Sequence, residues 1–119
     1  MRVLVVDDSA VFRSVLCAVV EATEGFEVVG VASSGREAIN LVPLTEPQLA
    51  LIDVGMFELD GIETADQIRR RHPGIVILLL SATRQASVRA RSLAVEDKRD
   101  LSPRWLADFW RRQGQRQLG

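Results

Sequence analysis

The chain has 119 residues, which suits one domain with a single core and leaves no room for a second independent domain. Apolar residues make up 47% and charged residues 26%, as in ordinary globular proteins, and no run of about 18 apolar residues could span a bilayer. The formal charge of −1 gives no broad basic field, so direct binding to nucleic acid is not expected. The first residues lack a secretory signal, and we expect a cytoplasmic protein without membrane contact.

Five short runs of aliphatic and β-branched residues predict five β-strands. None of them alternates strictly between apolar and polar residues, so buried strands of a parallel sheet are expected. The predicted strands cover residues 3–6, 28–32, 49–52, 75–80 and, more weakly, 93–95.

Helical patterns separate these strands. The first helix is predicted over residues 10–24, and Ser34 and Glu37 are spaced as a capping box, in which each side chain binds the other's backbone N–H, at the start of the second. The second helix is expected to end before Pro43, because proline disrupts a helix interior. The first helix carries an apolar stripe that is expected to face the core. Its members are Val11, Val15, Leu16, Val19 and Val20.

The third predicted helix starts near Gly61 and stops at His72, which a proline and a glycine follow. The last helix begins at Ser102, an N-cap residue, with Pro103 at the first helical position. On this helix Trp105 is expected to be exposed as a candidate partner contact, whereas Leu106, Phe109 and Trp110 are expected in the core. The alternation of strands and helices predicts an α/β, doubly wound parallel sheet with helices on both faces.

Polar residues mark the carboxyl ends of the predicted strands, the edge at which open α/β sheets bind ligands. Asp7 and Asp8 follow the first strand, Asp53 ends the third, Ser81 ends the fourth, and Lys98 lies just past the fifth. A single aspartate there is ordinary, because loops are polar and helix N-termini favour negative charge. Three converging carboxylates repel one another, however, and Mg²⁺ with its preference for oxygen ligands is the cation expected to balance them. An aspartate in such a site can form an aspartyl-phosphate.

At these residues the sequence resembles the receiver domains of bacterial two-component response regulators, especially those of LuxR-type regulators. The resemblance covers nearly the whole chain. Its motifs are residues 3–9 with the acidic pair, 51–56 around Asp53 with Asp60-Gly61, 79–82 around Ser81, and 98–103 around Lys98.

The resemblance implies a role for each site residue. Asp53 would accept a phosphoryl group from the histidine of a sensor kinase, Ser81 would bind a phosphate oxygen, and Lys98 would pair with another. Mg²⁺ would be held by the side chains of Asp8 and Asp53 and the Gly55 carbonyl, with Asp7 acting largely through bound water. The implied metal-holding residues are therefore Asp7, Asp8, Asp53 and Gly55.

The resemblance also implies a flavodoxin-like fold, with five parallel strands in the order 2-1-3-4-5, and a receiver domain at residues 1–112 followed by a tail or linker start at 113–119. The protein would be a signalling switch that acts in transcription regulation, with self-catalysed phosphorylation and dephosphorylation as its only chemistry. A sensor histidine kinase is the expected partner, and a homodimer is possible. No nucleic-acid contact by this chain is implied.

Three departures from the family pattern leave alternatives open. Phe57 stands where receivers usually have proline, Val95 where they often have an aromatic residue, and the interval between Ser81 and Lys98 is several residues shorter than usual. We therefore expect a shortened or irregular region of the fifth strand and of the helix that receivers have before it, for which residues 84–91 offer few large apolar side chains. One alternative is a degenerate receiver that works as a phosphorylation-independent interaction module. A weaker one is a magnesium-dependent hydrolase of small phosphate esters.

Overall fold

A computed structural model describes residues 1–56, 60–81 and 94–118 of the chain. A five-stranded sheet forms its centre. The apolar runs of the sequence supply its strands, which are β1 (Arg2–Val6), β2 (Glu27–Ala32), β3 (Leu49–Asp53), β4 (Val76–Ser81) and β5 (Ala94–Asp97). All neighbouring strands pair in parallel, in the order β2-β1-β3-β4-β5. This is the predicted flavodoxin-like order, and all five predicted strands are confirmed.

Four α-helices lie in the described part of the chain. Ser9, Ser34, Asp60 and Ser102 precede them, and each accepts a hydrogen bond from a backbone N–H three residues on, which satisfies an otherwise unpaired donor. The helices are α1 (Ala10–Glu21), α2 (Gly35–Thr45), α3 (Gly61–Arg71) and α4 (Pro103–Leu118). A single 3₁₀ turn, Lys98–Asp100, directly follows β5.

Alternate residues of the central strands point to opposite faces of the sheet and build two hydrophobic layers. On one face Leu4 and Ile52 pack with residues of α2 and α3, such as Val42 and Ile68. On the other face Val5 and Leu51 lie in a cluster that α1 and α4 complete. From these helices the cluster takes Leu16, Val20, Leu106 and Phe109. The two layers make the sheet a rigid support for the residues at its edge.

The first helix differs from its prediction in its length and in which residues of its apolar stripe are buried. It ends at Glu21, three residues early, and Val11 and Val15 are 73% and 48% exposed. Only Leu16 and Val20 of the predicted stripe are buried, with Val19 packed beside them. The expectation that the whole stripe faces the core was wrong, because five apolar residues span more of the helix surface than one sheet face can cover.

The second helix contains Pro43 instead of ending before it. Because Pro43 lies in the last turn, it removes one helical hydrogen bond without preventing the final residues from remaining helical. The capping box is half formed. Ser34 Oγ accepts from the Glu37 N–H at 3.2 Å, but the Glu37 carboxylate accepts from Ser33 Oγ at 3.3 Å. The Ser33 hydroxyl therefore replaces the Ser34 backbone N–H as the donor to Glu37.

The C-terminal helix α4 extends to Leu118 and so continues through most of the segment 113–119 that was predicted as a tail. Leu106 and Phe109 are buried as predicted. The expected exposure of Trp105 was wrong, because its ring stacks on Phe109 with centroids 5.4 Å apart and packs against the core. No described helix is long and apolar enough to cross a membrane.

Candidate functional site

The site lies at the carboxyl ends of β1 and β3, which are neighbours in the sheet although β2 separates them in the chain. The chain leaves β1 toward β2 on one side and returns to β3 on the other. This reversal of strand order opens a crevice above the two strand ends, the usual ligand position in open α/β folds. Asp7 and Asp8 directly follow β1, and Asp53 is the last residue of β3.

Asp7, Asp8 and Asp53, here named the acid cluster, are brought together as the sequence predicted. One carboxylate oxygen from each of the three lies within 4.8 Å of the others. Asp7 is fully buried, Asp53 is 6% exposed, and Asp8 is exposed at the rim. Two carboxylates therefore lie inside the protein while the third faces solvent, which is an arrangement open to a ligand from one side.

Lys98 reaches the acid cluster in spite of the shortened interval that precedes it. Its Nζ atom lies 2.8 Å from Asp7 Oδ2 and 3.2 Å from Asp53 Oδ1, and its side chain is only 7% exposed. Lys98 thus forms an ion pair with each of the two buried carboxylates. The 3₁₀ turn that begins at Lys98 turns the chain directly at the end of β5.

The charges of the site shift the proton affinity of Asp53 and Lys98. Burial raises the pKa of Asp53, and the nearby charge of Asp7 raises it further, while the Gly55 N–H and Lys98 oppose both effects. Burial alone would lower the pKa of Lys98, but its contacts with Asp7 and Asp53 outweigh burial and raise it. Lys98 therefore remains an ammonium. One ammonium facing three carboxylates leaves excess negative charge at the site.

Local hydrogen bonds fix the position of Asp7. The Ser9 N–H donates to Asp7 Oδ1 at 2.9 Å, and the Arg13 guanidinium donates to the Asp7 carbonyl at 2.9 Å. The Asp7 N–H donates to the Ala32 carbonyl at the end of the neighbouring strand β2. The first turn of α1 thus holds the buried carboxylate from one side and β2 holds its backbone from the other.

Asp53 is held by the loop that connects β3 to α3. The Gly55 N–H donates to Asp53 Oδ1 at 3.2 Å, and the Val54 N–H donates to the Leu80 carbonyl of β4 at 2.9 Å. Gly61 opens α3 directly against this backbone, and a Cβ atom at that position would lie 1.9 Å from the Asp53 carbonyl oxygen. Gly61 is therefore required for the close approach of α3 to Asp53.

The remaining predicted residues lie at the same edge of the sheet. Ser81 ends β4, is 5% exposed, and comes one residue after Leu80, the partner of Asp53 in the β3–β4 register. Gly55 is exposed beside the acid cluster. Phe57 and the segment 84–91 lie outside the described residues, so the expectations about them stay predictions. Val95 belongs to β5.

Sequence reasoning missed three residues that shape this site. The Asp60-Gly61 motif was part of the resemblance, but the contact of Gly61 with the Asp53 backbone was not foreseen. The bond from Arg13 to Asp7 was missed, and so was Phe12, whose ring centroid lies 4.1 Å from Lys98 Nζ. A lysine-to-ring contact between distant parts of the chain leaves no pattern in one sequence.

The residues present fit Mg²⁺. The acid cluster offers only carboxylate oxygens, the ligand type that this cation takes, and the exposed side of Asp8 leaves room for the waters that it usually keeps. A bound cation would also balance the excess negative charge that Lys98 leaves.

The fold and the site together define an α/β protein with an acid cluster that could hold a cation at a strand-order reversal. Residues 3–101 match the family model described as the response regulator receiver domain. The chain therefore belongs to the response regulator receiver family. Receiver domains are signalling switches of two-component systems; sensor histidine kinases phosphorylate them, and they bind magnesium at an acidic pocket.

Similar proteins support this assignment. The chain is 36% identical over 100 residues to a protein-glutamate methylesterase/protein-glutamine glutaminase of Trichodesmium erythraeum, covering 81% of this chain and 28% of that protein. The response regulator domain of Thermotoga maritima CheB superposes with a TM-score of 0.78 at 26% identity, covering 93% of this chain and 94% of that one. A CheY-like receiver domain of Methanospirillum hungatei has the same fold, with a TM-score of 0.80 at 23% identity over 99% and 98% of the two chains.

These relatives correct the finer part of the prediction. The chain spans about a quarter of the length of the curated relatives it matches, 28% for the one from Trichodesmium erythraeum. Those relatives are methylesterases, and a closer resemblance to LuxR-type regulators, with a role in transcription regulation, is not supported.

Proposed function

We propose that this chain is a phosphorylation switch in which Asp53 accepts a phosphoryl group from a sensor histidine kinase with the help of Mg²⁺. The observation that carries the proposal is the placement of Lys98, whose ammonium lies 3.2 Å from Asp53 and 2.8 Å from Asp7. Without that placement, the acids alone would suit simple cation binding. With it, the site has a nucleophile, a metal-ligand set and a fixed positive charge.

The transfer uses Asp53 as the nucleophile. An oxygen of its ionised carboxylate attacks the phosphorus of the kinase phosphohistidine, an oxygen–phosphorus bond forms, and the phosphorus–nitrogen bond of the donor breaks. The departing imidazole nitrogen keeps the electron pair of that bond, and the ring leaves as neutral imidazole because its other nitrogen carries a proton taken up from water before transfer. The Gly55 N–H and Lys98, which oppose the upward shift of the Asp53 pKa, favour the ionised form that attacks.

Bound Mg²⁺ would supply charge neutralisation for the incoming phosphoryl oxygens. Asp8 and Asp53 would hold it through their side chains and Gly55 through its carbonyl, while buried Asp7 would act through bound water. Lys98 holds its ammonium where it can pair with a phosphate oxygen on Asp53. Ser81, at the end of the adjacent strand, would bind another such oxygen and transmit the change to the surrounding surface.

The methylesterase relatives support a receiver role and carry no esterase activity to this chain, since the similarity covers only 28% of the first relative's length. The sensor kinase partner, a possible homodimer, a cytoplasmic location and the division into residues 1–112 and 113–119 all remain predictions. The alternative of a phosphorylation-independent module was motivated by Phe57 and by the shortened segment before Lys98, and Phe57 and most of that segment lie outside the described residues. The contacts of Lys98 with Asp7 and Asp53 favour the switch.

The proposal is tested by incubating the protein with acetyl phosphate and Mg²⁺ and locating the adduct by mass spectrometry. We expect one phosphoryl group, on Asp53, that forms neither in Asp53→Asn nor in the presence of a chelator. Asp66→Asn, in α3 and outside the acid cluster, is the matched control and should be modified normally. An unmodified native protein, or an adduct at another residue, would contradict the proposal.

A further inference from the structure

Phe12 makes a contact that neither the fold nor the proposed metal site explains. It is the third residue of α1, and its backbone N–H donates to Ser9 Oγ at 3.3 Å, so its place in the first turn is fixed by the helix cap. Neither hydrophobic layer includes Phe12 among the described residues. Its ring instead lies over Lys98, with the ring centroid 4.1 Å from the Nζ atom.

That distance is well within the range of a cation–π interaction, in which the negative face of an aromatic ring attracts an ammonium. Such an interaction is strongest where the cation has lost its water, and the Lys98 side chain is only 7% exposed. The ammonium is therefore contacted by three groups, namely the Asp7 carboxylate, the Asp53 carboxylate and the Phe12 ring. A long lysine side chain, with several rotatable bonds, is thereby held in one place.

Lys98 needs such support because of where it lies in the chain. It follows β5, an edge strand of only 4 residues, and is the first residue of a single 3₁₀ turn. By contrast, Phe12 lies on a helix anchored at both the acid cluster and the core, through the Ser9 and Arg13 bonds to Asp7 and through buried Leu16. The ring thus ties the ammonium to the more firmly held side of the site.

We propose that Phe12 is a positioning residue for Lys98, and that its ring, through cation–π attraction, holds the ammonium in place for phosphoryl transfer to Asp53. The inference rests on the proposed function of Asp53. It extends that function to a residue of α1 that lies outside the acid cluster.

The first test compares phosphorylation rates with acetyl phosphate at saturating Mg²⁺. We expect Phe12→Leu, which keeps an apolar side chain but removes the π face, to slow the reaction by about 3- to 30-fold. Phe12→Tyr should stay within about 3-fold of the native rate because it keeps the ring. Phe26→Leu is the matched control, since Phe26 packs against the α1 and α4 layer, and it should not slow the reaction.

Two further measurements separate attraction from packing. Site-specific replacement of Phe12 by mono-, di- and trifluorinated phenylalanine keeps the shape and weakens the π face step by step, so the rate should fall progressively. In the Mg²⁺-free protein, the ring should also move the Lys98 ε-proton resonances upfield in the NMR spectrum, and Phe12→Leu should abolish this displacement.

Equal rates for Phe12→Leu and Phe26→Leu, a flat fluorination series, or ordinary Lys98 ε-proton resonances would each overturn this inference while leaving the proposed function standing. A native protein that is not phosphorylated at all would overturn the proposed function and the inference with it. Thermal melting of each variant identifies any that is unfolded, and the fluorinated series then decides the question because it preserves side-chain shape.

Discussion

At the scale of single residues, the site depends on close backbone contacts that leave no space for a larger side chain. Gly61 is the clearest case, because a Cβ atom there would lie 1.9 Å from the Asp53 carbonyl oxygen and 2.7 Å from Val54 Cα. Both neighbours are backbone atoms of the loop that carries the proposed phosphoryl acceptor, and backbone cannot move aside without moving Asp53. The glycine therefore acts on the chemistry through position alone.

Gly61→Ala should lower the free energy of unfolding by about 3 kcal/mol or more, since the added methyl group must displace either α3 or the β3 end. Gly74→Ala is the matched control. Its Cβ would meet no atom within 4 Å, so its effect should stay within about 0.5 kcal/mol. Urea denaturation of both variants measures the difference, and equal stabilities would show that the loop yields easily.

The charge on Asp53 leads to a prediction about pH. Burial, then the charge of Asp7, raises its pKa in the folded protein above the ordinary value of 3.8. A raised folded-state pKa favours folding below the ordinary value, and that contribution is lost as the pH rises through the raised pKa. At neutral pH without metal, ionised Asp53 therefore destabilises the fold.

Asp53→Asn should accordingly unfold at a higher temperature than the native protein at neutral pH in the presence of a chelator. The expected gain is on the order of 1 kcal/mol, because one charge leaves a buried site with excess negative charge. The gain should shrink as the pH is lowered from neutral through the raised pKa of Asp53, because the native carboxyl group then becomes protonated. Thermal denaturation across this range checks the sign, and a gain that grows on acidification would refute it.

At the scale of elements, the N-cap of α4 links local sequence to the second hydrophobic layer. Ser102 Oγ accepts from the Trp105 N–H at 3.1 Å, and Leu106 and Phe109 of the same helix are buried. Ser102→Ala should cost about 1 kcal/mol of unfolding free energy, whereas Ser102→Asn should retain most of the stability because asparagine also caps helices. Chemical denaturation of both variants measures their unfolding free energies. Equal losses in the two variants would show that the capping hydrogen bond does not stabilise the helix.

The sequence predicted the strands well, but it predicted the buried face and the ends of the helices poorly. The strand positions were predicted to within about two residues, because short uninterrupted apolar runs are typical of the buried strands of a parallel sheet. Val11 and Val15 were assigned to the core wrongly, since helical spacing shows which residues share a stripe but not how much of it the sheet covers. Pro43 was read as a helix end because the sequence does not show that a last turn tolerates it.

Some residues of the site could likewise be predicted from the sequence and others could not. Convergence of Asp7, Asp8 and Asp53 followed from strand ends, because parallel topology sends those ends to one edge. The reach of Lys98 could not be predicted, as it depends on how the shortened chain before β5 returns to the sheet. Phe12 was missed because its contact with Lys98 joins α1, which follows β1, to the end of β5 at the edge of the sheet. Only the assembled fold brings these two parts of the chain together.

At the scale of the whole molecule, the proposed cation binding would be coupled to folding. The acid cluster joins the ends of β1 and β3, and Lys98 joins them to the end of β5, so the site exists only when the sheet is assembled. A cation that binds this assembled site and not the unfolded chain must stabilise the entire fold, by an amount set by its concentration relative to its dissociation constant.

Mg²⁺ at about 100 times its dissociation constant should therefore add about 2.7 kcal/mol to the free energy of unfolding. Asp8→Asn should lose most of this gain while changing the metal-free stability little, because Asp8 is exposed and Asp7 and Asp53 retain their contacts with Lys98. Asp66→Asn, outside the acid cluster, should keep the full gain. Thermal denaturation during a magnesium titration distinguishes the variants, and an equal gain in Asp8→Asn would place the cation elsewhere on the protein.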